Sequence, residues 1–384
     1  MSLFVGCYGK TLDFVEAHGD GIGYFSVENG KVELQSILRF KDKSAGEVPE
    51  NPSYLAVHPS LPVLYATEEL PDEGFVWVFD IDTKTKTLSV AGRESTCGTS
   101  AAMLSVSKDE KLLYTVNYSS GPAMVFSLDE QGHIENAVSK LECISDREYP
   151  GPNKGRQDRP HPHMHVEDFT APERLSLVPD LGADCVHEFS LDENGNQIAE
   201  SQALLPLGSG PRHLVICSSD RARLVLCELT TMLCVVPCKE KRSDIPDSSL
   251  QDATQMLSVI DGSDQVNSDS EWTASAINLH PNERFVFCSV RATDASRHGR
   301  IGVFEVHSHK EEGTRLEFKC CIDSLGKCPR EMKLDSTGDF LFVAHQDSNN
   351  IECFAVNPET GELSRDSSRS FEFKTPVALC FSQH

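Results

Sequence analysis

Asn51 to Leu70 reads NPSYLAVHPSLPVLYATEEL, and this stretch decides the fold. In Tyr54-Leu-Ala-Val-His58 the side chains alternate as a half-buried strand requires. His58-Pro-Ser-Leu-Pro62 is turn chemistry, with proline fixing φ. Val63 to Ala66 then forms a second strand. The same hairpin pattern returns at Ser100–Gly121, His161–Gly182, Gly210–Leu229, Ala274–Ala292 and Cys328–Ser348. A truncated copy, TPVALCFSQH, closes the chain at His384. The copies start roughly 47 to 65 residues apart, the period of propeller blades.

A third strand follows most hairpins, at Ala123–Leu128, Cys185–Leu191, Ile301–Val306 and Asn350–Val356. Three or four strands followed by a new copy make one propeller blade. The ends complement each other. The last copy has a single strand, while Leu3–Tyr8, Gly21–Val27 and Lys31–Leu34 supply the partners it lacks. The pattern therefore predicts an all-β fold, a seven-bladed β-propeller closed by pairing of the N- and C-terminal strands. Closure removes exposed sheet edges. Residues 1–384 read as one domain, since no blade buries its faces without neighbours. Two polar segments, 146–159 and 239–272, interrupt the repeat and are expected as insertions on one rim of the ring.

Composition bounds the partners. The formal charge is −24, which argues against nucleic acid, whose phosphates need a basic face. No apolar run reaches the roughly 18 residues that span a bilayer, so no membrane association is expected. No basic region followed by an apolar core opens the chain, and a cytoplasmic protein is the expectation. The 14 Cys are scattered, often within apolar strands, as small buried hydrophobes in a reducing compartment. Cys234, Cys238, Cys320 and Cys321 lack paired zinc-ligand spacing. The sequence leaves the oligomeric state open.

The local signal for chemistry is His161-Pro-His-Met-His165. Alternate positions on a strand would place His161, His163 and His165 on one face. Metal ligation, acid–base or substrate-binding work, and a structural cluster all remain open there. No carboxylate stands at a fixed ligand spacing, so neither metal nor cofactor is expected. Arg212 opens one repeat copy, Glu228 ends the second strand of that copy, and Arg291 ends the second strand of the next. Equivalent strand ends in a propeller project around one axis. Charge flanked by apolar strand is costly without a partner, so these residues are expected to converge.

The segments PSYLAVHP at Pro52, VNYSSG at Val116, PHMH at Pro162, PDLGAD at Pro179, GPRH at Gly210, CEL at Cys227, SVRA at Ser289 and AHQDSNNI at Ala344 resemble, in order and spacing, the seven-bladed propeller lactonases. That family includes 6-phosphogluconolactonases and carboxy-cis,cis-muconate cyclases. The resemblance implies a metal-independent lactone hydrolase acting on a small anionic sugar lactone. It places the catalytic histidine on His165, with Arg212, Glu228 and Arg291. His163, Asn117 and Arg330 are expected to bind the substrate. Ala276 stands where the phosphogluconolactonase branch usually has Glu, and Val290-Arg-Ala292 where it has Asn-Arg-Gly. SVRA is nearer the cyclase pattern, so a muconate-type cyclase is the alternative reaction. A non-catalytic binding platform is the alternative class, since fold alone does not fix function.

Overall fold

The computed structural model describes all residues except 29–30, 41–46, 146, 170, 172, 239–251, 261–270, 310 and 383–384. Among the described residues there are seven antiparallel sheets and no α-helix. Blade 1 orders its strands Pro376–Ser382, Ser2–Cys7, Gly21–Glu28 and Lys31–Arg39 from the inside out. Blades 2 to 6 follow in chain order across residues 55–95, 101–141, 166–204, 211–258 and 272–323. Blade 7 spans residues 329–372, and its fifth strand, Phe371–Glu372, pairs with the third, Asn350–Val356. The ends close the ring as the truncated copy requires: Leu3 faces Phe381 and Val5 faces Leu379 across an antiparallel ladder.

Each blade is apolar on both faces of its inner strands, which is why the core lies between blades. Leu64, Trp77 and Phe79 of blade 2 pack with Phe4 and Tyr24 of blade 1. Phe285, Phe287 and Ile301 of blade 6 pack with Met332 and Leu341 of blade 7. The 239–272 segment is not wholly an insertion. Its apolar patch becomes the strand Gln255–Ser258, the outermost of blade 5, paired with Met232–Val236. Residues 239–251 and 261–270 of that segment lie outside the described residues.

One irregularity positions the functional side chains. The innermost strands of blades 3, 5 and 7 each carry a β-bulge just inside their start, at Ala102, Arg212 and Arg330. Blade 6 has its own bulge between Ala274 and Ile277. A bulge adds one unpaired residue and re-aims its side chain. In blade 4 the equivalent residue is His163, directly after the Pro162–Asp180 bridge. The end of the second strand then supplies a second tier. The same backbone bond recurs there: Tyr8 to Thr375, Glu69 to Asn51, Tyr118 to Ser100, Leu181 to His161, Glu228 to Gly210 and Gln346 to Cys328, each N–H donating to the carbonyl. Arg291, paired with Thr273, is the blade 6 member.

Candidate functional site

Glu228 is the hub of these two tiers. Its carboxylate is buried, with Oε2 accepting from Arg212 Nη1 at 2.6 Å. Oε1 is shared by Arg291 Nη2 at 3.0 Å and Arg156 Nη2 at 2.7 Å. Burial alone would raise the carboxyl's pKa, but the three guanidinium groups outweigh it and hold Glu228 well below the usual carboxylate range. Arg212 is fixed on three sides. Its Nε donates to Ser275 O at 2.7 Å and its Nη1 meets both Glu228 and His163 Nε2. Burial pushes its pKa down to about 10, with Arg291 and Arg330 adding to the effect and Glu228 opposing it. It therefore stays charged at neutral pH.

The turn before Arg212 is set by Gly210, whose φ of +64° lies in the left-handed region that suits glycine. In that conformation the Gly210 amide donates to Asp184 Oδ1 at 2.8 Å while its carbonyl accepts the Glu228 amide at 2.7 Å. One residue thus fixes the approach of Arg212 to Glu228.

Around the hub, Tyr118 stacks on His161 with centroids 4.6 Å apart and meets His163 edge-on at 5.2 Å. His163 is buried, and burial together with the Arg212 charge keeps its pKa well below the ordinary imidazole value. It is neutral at pH 7. The Arg212 N–H directed at Nε2 places the ring proton on Nδ1, which has no hydrogen-bond partner among the described residues. On the far side, Arg330 Nη2 donates to the Tyr8 hydroxyl at 2.9 Å, and that hydroxyl donates to Glu69 Oε2 at 2.7 Å. Arg330 and Arg212 occupy the same bulge position in blades 7 and 5, and the Arg330 charge is one of those that lower the Arg212 pKa.

The structure therefore brings together Arg212, Glu228, Arg291, His163 and Arg330. It does not bring His165 to them. The three histidines do not share a strand face, because the chain from 161 to 165 is irregular and a regular strand begins only at Val166. His161 bonds to Asp158 and the Tyr118 carbonyl, and His163 meets Arg212. His165 bonds to Ser105 Oγ at 2.6 Å and stacks on Tyr114 at 3.9 Å. It occupies the third position after the opening residue, where blades 3, 5, 6 and 7 carry Leu104, Leu214, Ile277 and Met332. Burial alone lowers its pKa to about 3. Asn117 likewise serves the fold. Its amide donates to the carbonyls of Thr96 and Pro122, and its Oδ1 accepts from Thr96 Oγ1.

Sequence reasoning missed Tyr118, Tyr8, Glu69 and Arg156. The first three stand at the repeat position of Glu228 and were legible by alignment of the copies. Arg156 lies in the 146–159 segment, which has no counterpart in other repeats, so nothing in the repeat pointed to it.

Known proteins share this arrangement of blades over nearly their whole length. The chain is 28% identical over 322 residues to a 6-phosphogluconolactonase of Formosa agariphila, covering 82% of this chain and 84% of that one. It is 26% identical over 364 residues to a 6-phosphogluconolactonase of Bacillus subtilis, covering 95% and 94%. The periplasmic gluconolactonase of Pseudomonas aeruginosa superposes with a TM-score of 0.78 at 22% identity, covering 98% of each chain, a likeness of fold. Residues 2–381 match the lactonase family of seven-bladed β-propellers, and the chain belongs to that family.

Proposed function

We propose that this protein hydrolyses an anionic sugar lactone, with 6-phospho-D-glucono-1,5-lactone the foremost substrate. The observation that carries this reading is the site's charge. Arg156, Arg212, Arg291 and Arg330 stand against Glu228 and Glu69, a local excess of cations in a chain of formal charge −24. A planar guanidinium suits phosphate and a developing oxyanion. The relatives named 6-phosphogluconolactonase support the same substrate class.

In the mechanism, water attacks the lactone carbonyl and its proton passes to Glu228. Arg212 and Arg291 stabilise the tetrahedral oxyanion, and the proton returns to the ring oxygen as the C–O bond breaks. His163 holds Arg212 in place. A carboxylate held this acidic is a weak base, which suffices because the strained ester is already reactive. The product would be a phosphorylated hydroxy acid, in keeping with the pentose phosphate pathway, and 14 cysteines scattered through the chain suit the cytosol.

The test is a lactonase assay with 6-phosphogluconolactone, corrected for spontaneous hydrolysis. Turnover well above the background is expected. No acceleration, together with turnover of a muconate-type diacid followed by ultraviolet absorbance, would establish the cyclase reaction favoured by the Val290-Arg-Ala292 sequence. Inactivity on both would leave a binding platform.

A further inference from the structure

Three arginines hold Glu228, and they are not equivalent. Arg212 and Arg291 rise from the propeller strands and are each tied to a backbone carbonyl, of Ser275 and Ala274 respectively. Arg156 comes from the loop that interrupts the repeat. Its side chain is 39% exposed, against 4% for Arg212 and 13% for Arg291. It spends one nitrogen, Nη2, on Glu228 Oε1 at 2.7 Å and the Tyr118 hydroxyl at 3.1 Å. Its Nε and Nη1 donate to nothing among the described residues, so part of its five-donor fork faces solvent.

The base of this side chain is rigid although its head is not buried. Next to it, Gln157 is fully buried and donates from Nε2 to the Leu181 carbonyl at 2.9 Å. Gln157 Oε1 accepts the Asn153 amide at 3.1 Å, and the Asn153 carbonyl accepts the amides of Arg156 at 3.0 Å and Gln157 at 2.8 Å. Leu181 belongs to the same tier as Tyr118 and Glu228. The loop is therefore stapled beside the second tier and holds one partly exposed guanidinium against Glu228. Glu228 supplies one negative charge to three cations, so an incoming anion meets uncompensated charge there, and Arg156 has the donors free to meet it.

We propose that Arg156 is the specificity-determining residue that reads the charged substituent of the substrate, the phosphate of a phosphorylated sugar lactone, at the solvent side of the site. This rests on the lactonase reading given above. Arg212 and Arg291 serve the reacting carbonyl, which charged and neutral lactones share. Arg156 serves what only the charged one has.

The experiment compares 6-phosphoglucono-1,5-lactone with glucono-1,5-lactone as substrates of the full chain and of Arg156→Ala and Arg156→Lys, reading the ratio of the two kcat/KM values. The ratio should fall about tenfold or more in Arg156→Ala, mainly through KM of the phosphorylated substrate, as loss of a charge-assisted contact implies. Lysine should restore part of it, because it keeps the charge without the planar fork. Calorimetric binding of 6-phosphogluconate against gluconate repeats the comparison without turnover and covers a variant too weak to assay. If Arg156→Ala does not fold by circular dichroism, a reduced ratio in folded Arg156→Lys is the supporting result. An unchanged ratio, or equal losses on both lactones, overturns the proposal and makes Arg156 a support for Glu228. A wild-type protein active on neither lactone overturns the lactonase reading instead.

Discussion

His163 and His165 are two residues apart, and the structure gives them unrelated surroundings. His163 touches Arg212, whereas His165 is packed between Tyr114 and Ser105. Replacing His163 by Ala should lower kcat about 10²-fold, the scale for losing one group that stabilises developing charge. Replacing His165 by Ala should leave kcat within about threefold but cost about 2–4 kcal/mol of stability, as large-to-small changes in a packed core do. Steady-state kinetics and urea denaturation of both variants decide it; the reverse pattern would return His165 to the chemistry. Glu228→Gln belongs to the same scale. It leaves the Arg212 cation buried without its counter-charge, which should cost about 3–5 kcal/mol in a urea titration and abolish turnover. The sequence made Arg212, Glu228 and Arg291 legible because charge at an apolar strand end needs a partner. It could not separate the two histidines, because alternation along a strand assumes an unbroken ladder.

The break in that ladder is an element-scale property. In blades 3, 5 and 7 one extra residue sits inside the first pairing of the innermost strand. At Arg212 and Arg330 the side chain on the bulge reaches the second tier, at Glu228 and Tyr8 respectively, and the residues beyond it resume the opposite alternation. Strand existence was legible, since the expected third strands and the terminal pairing are all present. Bulges were not, because they are set by backbone pairing and leave no mark on hydrophobic period. The same blindness affects Asn117. It ends a strand of blade 3, yet its amide closes the 96–122 loop pair, not the substrate site. Asn117→Ala should therefore cost about 1–3 kcal/mol through unmet hydrogen bonds, with KM nearly unchanged. A KM raised tenfold in a stably folded variant would reinstate it as a substrate ligand.

For the whole molecule, stability should fall as pH drops below about 6.5. Burial keeps His163 and His213 well below their ordinary pKa, His165 at about 3 and His345 at about 4. Below about 6.5 the unfolded chain binds protons at these four sites while the folded chain does not, at about 1.4 kcal/mol per proton per pH unit. Burial raises Glu331 to about 7, and raises Glu68, Glu167 and Asp184 as well, so these carboxyls act in the other direction. His187, raised to about 10 by Cys185 and Asp180 despite its burial, is protonated in both states below about 6.5 and adds no slope there. Of these carboxyls Glu331 alone is raised as far as about 7, so the four histidines dominate and the urea midpoint should decrease between pH 7 and pH 5; a midpoint that rises would mean the histidines are protonated in the fold. The ring closure has a consequence of another kind. Pro376–Ser382 must lie inside Ser2–Cys7, yet it is made roughly 370 residues later. At about 5–20 residues per second the first strand waits ~20–75 s for its inner partner, its edge bare to any neighbouring nascent chain. Soluble yield should accordingly depend on chaperone supply. A circular permutant that begins near residue 374 and joins Ser382 directly ahead of Ser2 would pair the two strands as soon as they leave the ribosome, and should need that help least.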